Sequence, residues 1–161
     1  IFFFYTTGIK ANTAFVNLEF LINTSNVGKY INDEINNVIR IQSIDFKKKE
    51  KDLKVKELDL LSKKNIIEKK KFEKELLEFK KKVTNYNNYK QKLIRSTQDK
   101  KINSIKKLMK IIQPILTEYI DKNNISILLD KKNILIGKNE LDITQDIIIL
   151  LNKEINKMEL E

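Results

Sequence analysis

NISILLDKKNILIGKNELDITQDIIILLN, residues 124–152, is where the helical periodicity of the preceding chain gives way to short apolar runs. Ile125–Asp130 and Asn133–Ile136 are β-branched runs separated by Lys131 and Lys132, so they read as a hairpin or as adjacent strands, with Gly137 closing the second. Asp142 or Thr144 then caps a final helix whose apolar face is Ile147, Leu151, Ile155 and Met158; if Thr144 is the cap, Ile143 and Ile148 form a hydrophobic staple. Just upstream, Asn123 and Asn124 tolerate the left-handed backbone that ends a helix. The C-terminal end is therefore a small strand-bearing body with a helix behind it.

Upstream, from Lys29 to Ile136, there is no glycine and only Pro114, so nothing forces turns and long helices are permitted. Ile39, Phe46, Leu53, Leu60 and Ile67 recur every seven residues, which keeps one stripe on one side of a helix. Gln42, Lys49, Lys56 and Lys63 occupy the positions three further on, so this seam has one apolar half. The next block is better patterned. Phe72, Leu76, Phe79, Val83 and Tyr86, and later Ile102, Ile105, Met109, Ile112, Leu116 and Tyr119, follow steps of three and four, with Lys90, Thr97 and Lys101 weakening the row between them. The two helices read as an antiparallel hairpin with its tip in SKKNIIEKKK, residues 62–71, Asn65 being the best position there for a left-handed residue. Pro114 is expected to kink the returning helix near its base.

At the other end, TAFVNLEF (residues 13–20) reads as a short strand, Thr13–Asn17, running into a turn, with a helix starting at Thr24 or Ser25. The fold class is α+β, mostly α: a long antiparallel, coiled-coil-like helical hairpin projecting from a small β-containing body. The body takes residues 12–24 and 124–161, and the hairpin arm takes 25–123. IFFFYTTGIKA (residues 1–11) is an apolar run followed by small and polar residues, and it reads as the remnant of a signal peptide, with a mature chain starting near Asn12 in the periplasm.

Composition narrows function by exclusion. The 161 residues contain no cysteine and no histidine, which removes disulfides, thiol nucleophiles, the usual zinc ligands and the side chain that titrates near neutrality. No glycine-rich phosphate loop is present. Asp130 and Asp142 could be drawn as paired carboxylates, but turn and cap roles explain both. The chain reads as non-enzymatic and without a cofactor. Its net charge of +10 is uneven: residues 47–110 hold 23 Lys/Arg against 9 Asp/Glu, a net +14, while both flanks are mildly acidic. The lysine runs 47–49, 69–71 and 80–82 are interleaved with glutamates, as on a solvated helix face, yet the summed field of the arm is large enough to attract acidic partners.

The ends also carry a resemblance. TAFVNLEFLINTS followed by NVGKYINDEINN, with the Val16–Asn17 pair, and the closing stretch quoted above, with its strand ending in Asp130 and its Asp142–Ile143–Thr144 step, resemble the Skp/OmpH family of periplasmic chaperones. Together they cover about a third of the chain. Many relatives place glycine just before the closing strand, where this chain has Asn123 and Asn124. The resemblance implies a homotrimer whose shared body is built from strands of three subunits, with Phe15, Val16, Leu18, Ile125, Ile127, Leu129, Ile134 and Ile136 as the oligomerisation residues. It also implies an ATP-independent holdase for unfolded outer-membrane β-barrel proteins, with anionic lipid or lipopolysaccharide as a further partner and no nucleic acid. Arm residues off the seam, Val55, Leu58, Ile66 and Tyr89, with Lys69, Lys70, Lys71, Lys80, Lys81 and Lys82, are the candidate client contacts. Two other classes stay open: a basic coiled-coil protein on nucleic acid or anionic membrane, and a structural tether. A chain whose native start lacks an export signal favours the first of these; inert arms favour the second.

Overall fold

The computed structural model describes residues 12–160, so the signal-peptide reading of residues 1–11 lies outside the described residues. In chain order the elements are β1 (Thr13–Val16), α1 (Leu18–Thr24), α2 (Asn26–Lys63), α3 (Lys69–Lys122), β2 (Ile127–Asp130), two short 3₁₀ turns (Lys131–Asn133 and Asn139–Leu141) and α4 (Thr144–Glu154). Of the described residues, those up to Asn32 and from Asn103 onward form one compact unit, and Asp33–Ile102 form the other.

In the first unit β1 and β2 pair in parallel, Thr13 opposite Ile127 and Val16 opposite Asp130. The Asn12 carbonyl starts this pairing by accepting from the Ser126 and Ile127 amides at 2.8 and 3.2 Å. The expected second strand at Asn133–Ile136 does not form: Lys131–Asn133 is a 3₁₀ turn, and Leu135 and Ile136 are fully exposed. A two-residue hairpin needs left-handed residues at its centre, and a Lys-Lys pair supplies none. Asp130 instead accepts from the Lys132 amide and caps the 3₁₀ turn.

The reading of residues 13–20 missed a helix. α1 begins directly after β1, with the Asn17 side chain accepting from the Phe20 amide at 2.9 Å. Ser25 then breaks the chain between α1 and α2, and its hydroxyl accepts from the Gly28 amide at 3.2 Å, the cap expected for the long helix. A side chain on Gly28 would place Cβ 1.5 Å from the Ile22 carbonyl oxygen, so only glycine lets α2 start this close to α1.

At the far end of α3 the left-handed residue is Asn124, at φ 51°. The Ile125 amide reaches back to the Ile120 carbonyl at 2.9 Å and the Asn124 amide to Asp121 at 3.3 Å, the pair of bonds that closes a helix in a Schellman motif. α3 passes through Pro114 without ending, at the loss of one backbone hydrogen bond. The core of this unit is Leu21, Val27, Leu108, Ile112, Ile147 and Leu151, all fully buried, together with Val16 and Ile31 at 2% exposure.

The Asp142–Ile143–Thr144 step locks α4 onto β1. The Thr144 hydroxyl accepts from the Asn17 amide at 2.8 Å and donates to Asp142, whose carboxylate also accepts from the Thr144 amide. Thr144 thus lies inside the helix, and Asp142 rather than Thr144 satisfies its first free amide, which removes the premise of the expected staple. Ile155 and Met158 fall beyond the end of α4, though Met158 stays buried.

Candidate functional site

In the second unit, residues 33–102, the polar partners define the pairing. Gln42 meets Thr97, Asp45 meets Tyr89, Glu50 meets Tyr86 and Lys90, and Lys63 meets Glu75. Partner numbers fall as positions in α2 rise, so the two helices run antiparallel. The turn, residues 64–68, sits inside the expected tip, held by the Lys63 carbonyl accepting from the Ile66 and Ile67 amides at 2.9 and 3.2 Å. Asn65 is not left-handed there; among the described residues that conformation belongs to Asn124 alone outside glycine.

The seam is thinner than its pattern suggested. Leu60 is buried and Phe46, Leu53, Ile67, Phe72, Leu76, Phe79, Val83 and Tyr86 are half-buried, but Ile39 and Ile102, assigned to the seam, are about half exposed at 50% and 49%. Thr97, which seemed to weaken the row, is buried in it: its hydroxyl accepts from Gln42 at 2.8 Å and donates to the Leu93 carbonyl at 3.0 Å. Midway, the Phe46 ring meets Tyr86 and Tyr89 edge-on at 6.5 and 6.4 Å, and the Lys90 ammonium stands 5.3 Å over Phe46. Hydrogen bonds from Lys90 and Tyr86 hold the Glu50 carboxyl below the usual carboxylate range, and the same Glu50 contact raises Lys90.

Two features remain on the outside. Val55, Leu58 and Ile66 are 58%, 55% and 80% exposed. Lys69, Lys70, Lys71, Lys80, Lys81 and Lys82 are exposed too, and none of the six is paired with a carboxylate among the described residues. Tyr89 is partly exposed, but its hydroxyl donates to Asp45 at 3.0 Å, so it also ties the hairpin together. The sequence reading overlooked Ile41, Ile44, Leu61 and Leu77, each more than half exposed. A signal for part of this set was present. Positions 41, 44, 48, 51, 55 and 58 alternate steps of three and four, so Ile41, Ile44, Val55 and Leu58 share one side of α2 with Lys48 and Lys51, away from the seam positions 46, 53 and 60. The unit as a whole carries 21 Lys/Arg against 12 Asp/Glu.

The residues named for oligomerisation fall into three groups. Phe15 and Val16 are buried within the chain, Leu18, Ile125 and Ile134 are half-buried, and Ile127, Leu129 and Ile136 are exposed at 48%, 41% and 95%. Asp130 and Asp142, which could be drawn as paired carboxylates from the sequence, are held by Lys132 and by Lys131 with Thr144 as turn and cap residues.

A family model for outer membrane proteins of the OmpH-like kind matches residues 12–151. The chain belongs to the OmpH-like family. That match spans both compact units, including the whole hairpin, where the sequence resemblance had rested on the ends alone. Among solved structures, a candidate outer membrane chaperone (OmpH-like) from Caulobacter crescentus CB15 is similar at a TM-score of 0.84 and 14% identity, over 94% of this chain and 89% of that one. At that identity the likeness is one of fold. No curated protein matches.

Proposed function

We propose that this OmpH-like chain is an ATP-independent holdase of the periplasm that binds unfolded outer-membrane β-barrel proteins and limits their aggregation, without catalysis. The observation that carries this reading is the surface of the hairpin unit: exposed apolar side chains on α2 beside lysines that no carboxylate among the described residues neutralises. An unfolded acidic chain offers scattered apolar groups and diffuse negative charge, which such a surface can hold through many weak contacts. The Caulobacter protein of similar fold is itself a candidate outer membrane chaperone.

We further infer a homotrimer held by the first unit. A two-stranded sheet is marginal alone, and Ile127 and Leu129 on β2, with Leu135 and Ile136 in the segment after it, leave apolar surface that association would cover. The test dilutes a urea-unfolded outer-membrane β-barrel protein into buffer with and without the chain, in the absence of nucleotide, and follows light scattering. Suppressed scattering at near-equimolar trimer is expected; unchanged scattering would refute the holdase reading, and a monomer mass at micromolar concentration would refute the trimer.

A further inference from the structure

The face of α2 that does not meet α3 carries a second seam. Ile41, Ile44, Lys48, Lys51, Val55 and Leu58 fill the a and d positions of successive heptads there, and the four apolar ones are each more than half exposed. The edges of this seam are sorted by sign. Arg40, Lys47 and Lys54 recur every seven residues along one edge, and Asp45, Asp52 and Asp59 along the other. From Arg40 to Asp59 the face runs for about 30 Å.

Contacts within the chain account for part of this order. Asp45 lies 3.5 Å from Lys49, Lys54 2.7 Å from Glu57 and Asp59 2.6 Å from Lys63, and the Tyr89 hydroxyl donates to Asp45 at 3.0 Å. Such surface pairs exchange at little cost. Lys47 and Asp52 have no charged partner among the described residues.

The sorting by sign fits a second copy of the same helix, parallel and in register. Each cation then faces the acid five residues further on in the other copy: Arg40 faces Asp45, Lys47 faces Asp52 and Lys54 faces Asp59. Ile41, Ile44, Val55 and Leu58 meet their own kind. An antiparallel copy would lay cation on cation and acid on acid. Cyclic symmetry keeps equivalent helices pointing one way with equivalent residues level, the relation that these charges require.

We propose that, when no client is bound, this face of α2 pairs in parallel and in register with the same face of another copy in the oligomer. Lys48 and Lys51 meet their counterparts in the middle of the seam, so the pairing is weak there and opens when an acidic client neutralises them. Client and second copy compete for one face. The pairing rests on the trimer and the client surface inferred above.

The chain has no cysteine, so Lys51→Cys in the full chain puts a single thiol in the seam and Lys56→Cys puts one outside it. Under copper–phenanthroline, Lys51→Cys should form a disulfide-linked dimer roughly tenfold faster than Lys56→Cys. Adding Lys47→Glu and Lys54→Glu to Lys51→Cys should slow the reaction roughly fivefold, and adding Asp52→Lys and Asp59→Lys to that variant should restore it. An unfolded acidic outer-membrane β-barrel protein, supplied before the oxidant, should slow it too.

Equal rates for the two thiols would overturn the proposal, and are what a face made for an acidic helix of another protein would give. Charge reversal without rescue would overturn it, as would a disulfide that forms equally fast with client present. Sedimentation of the reduced variants separates the failures: equal rates in an intact trimer sink the pairing alone, whereas a monomer sinks the trimer with it. Suppression of client aggregation is read in its own assay, so the holdase reading stands or falls apart from this result.

Discussion

The two compact units use the same amino acids in opposite ways. In the first, large aliphatic side chains from α1, α2, α3 and α4 reach complete burial, and polar groups such as Ser25 and Thr144 are buried with partners. In the second, of the described residues only Ile35, Leu60 and Thr97 are buried, while Ile41, Ile44, Val55, Leu58 and Leu77 face water. Two paired helices can bury only one stripe each, so most of a hairpin's surface stays wet whatever its sequence. The difference teaches that the buried core and the exposed apolar surface lie in different units: the core sits where β1, β2 and α4 are, and the hairpin carries the surface proposed above to hold clients.

The largest effects should therefore come from the first unit. Leu151→Ala empties a fully buried site and should cost about 2–5 kcal/mol in denaturant unfolding, whereas Leu58→Ala in the hairpin should change stability by less than about 0.5 kcal/mol. Equal costs would erase the contrast. Gly28→Ala should follow, at about 1–3 kcal/mol, because its Cβ cannot fit beside the Ile22 carbonyl without moving α1 or α2. A neutral Gly28→Ala would mean that α1 and α2 can move apart at no cost.

Within the hairpin, Thr97→Val leaves Gln42 without its partner and should cost about 1 kcal/mol, while Gln42→Leu combined with Thr97→Val should recover most of it. A thermal melt of the three variants checks this, and a double variant worse than either single would contradict a local polar layer.

Smallest is the pH response of the first unit. Burial alone would raise the Asp142 carboxyl, but hydrogen bonds from Lys131 and from the Thr144 hydroxyl and amide outweigh it and hold it below its ordinary 3.8. That contribution is present above 3.8 and is lost as pH falls through the lowered value, so Asp142→Asn should flatten the acid limb of a melting profile. Tyr119 behaves oppositely: its hydrogen bond to Asp146, with burial second, pushes it up to about 12, so its contribution is full below pH 10 and fades as pH climbs toward 12. Tyr119→Phe should remove that alkaline limb.

Much of this was legible in the sequence because it is local or strictly periodic. The hairpin followed from the heptad spacing and the absence of glycine, the tip from the polar break at residues 62–71, and the helix stop from Asn123 and Asn124. Strand pairing is not local. Ile134, Leu135 and Ile136 have strand-like composition, but β2 found its partner more than a hundred residues away in β1, and no neighbouring run was needed. α1 could have been found, since Asn17 precedes Leu18, Leu21 and Ile22 at helical spacing, yet the alternation of TAFV drew the reading across it. The inward face of α3 was also displaced: Ser104 and Leu108 are fully buried where Ile102 was expected, because Thr97, Ser104 and Leu108 form the row that packs and a small polar residue hides such a row from any apolar pattern. Of the candidate surface, the lysines and Val55, Leu58 and Ile66 could be picked by their distance from the seam, but Ile39 could not, since its seven-residue register placed it in a seam that it does not join.

The separation of core from binding surface is tested most directly by one variant of the full chain, carrying Val55→Ser and Leu58→Ser with Lys80, Lys81 and Lys82 changed to Glu. Its light-scattering trace is measured during dilution of an unfolded outer-membrane β-barrel protein, beside its own melting curve. The account predicts a melting temperature close to that of the unaltered chain and a clear loss of protection against aggregation. Undiminished protection by a normally folded variant would contradict it.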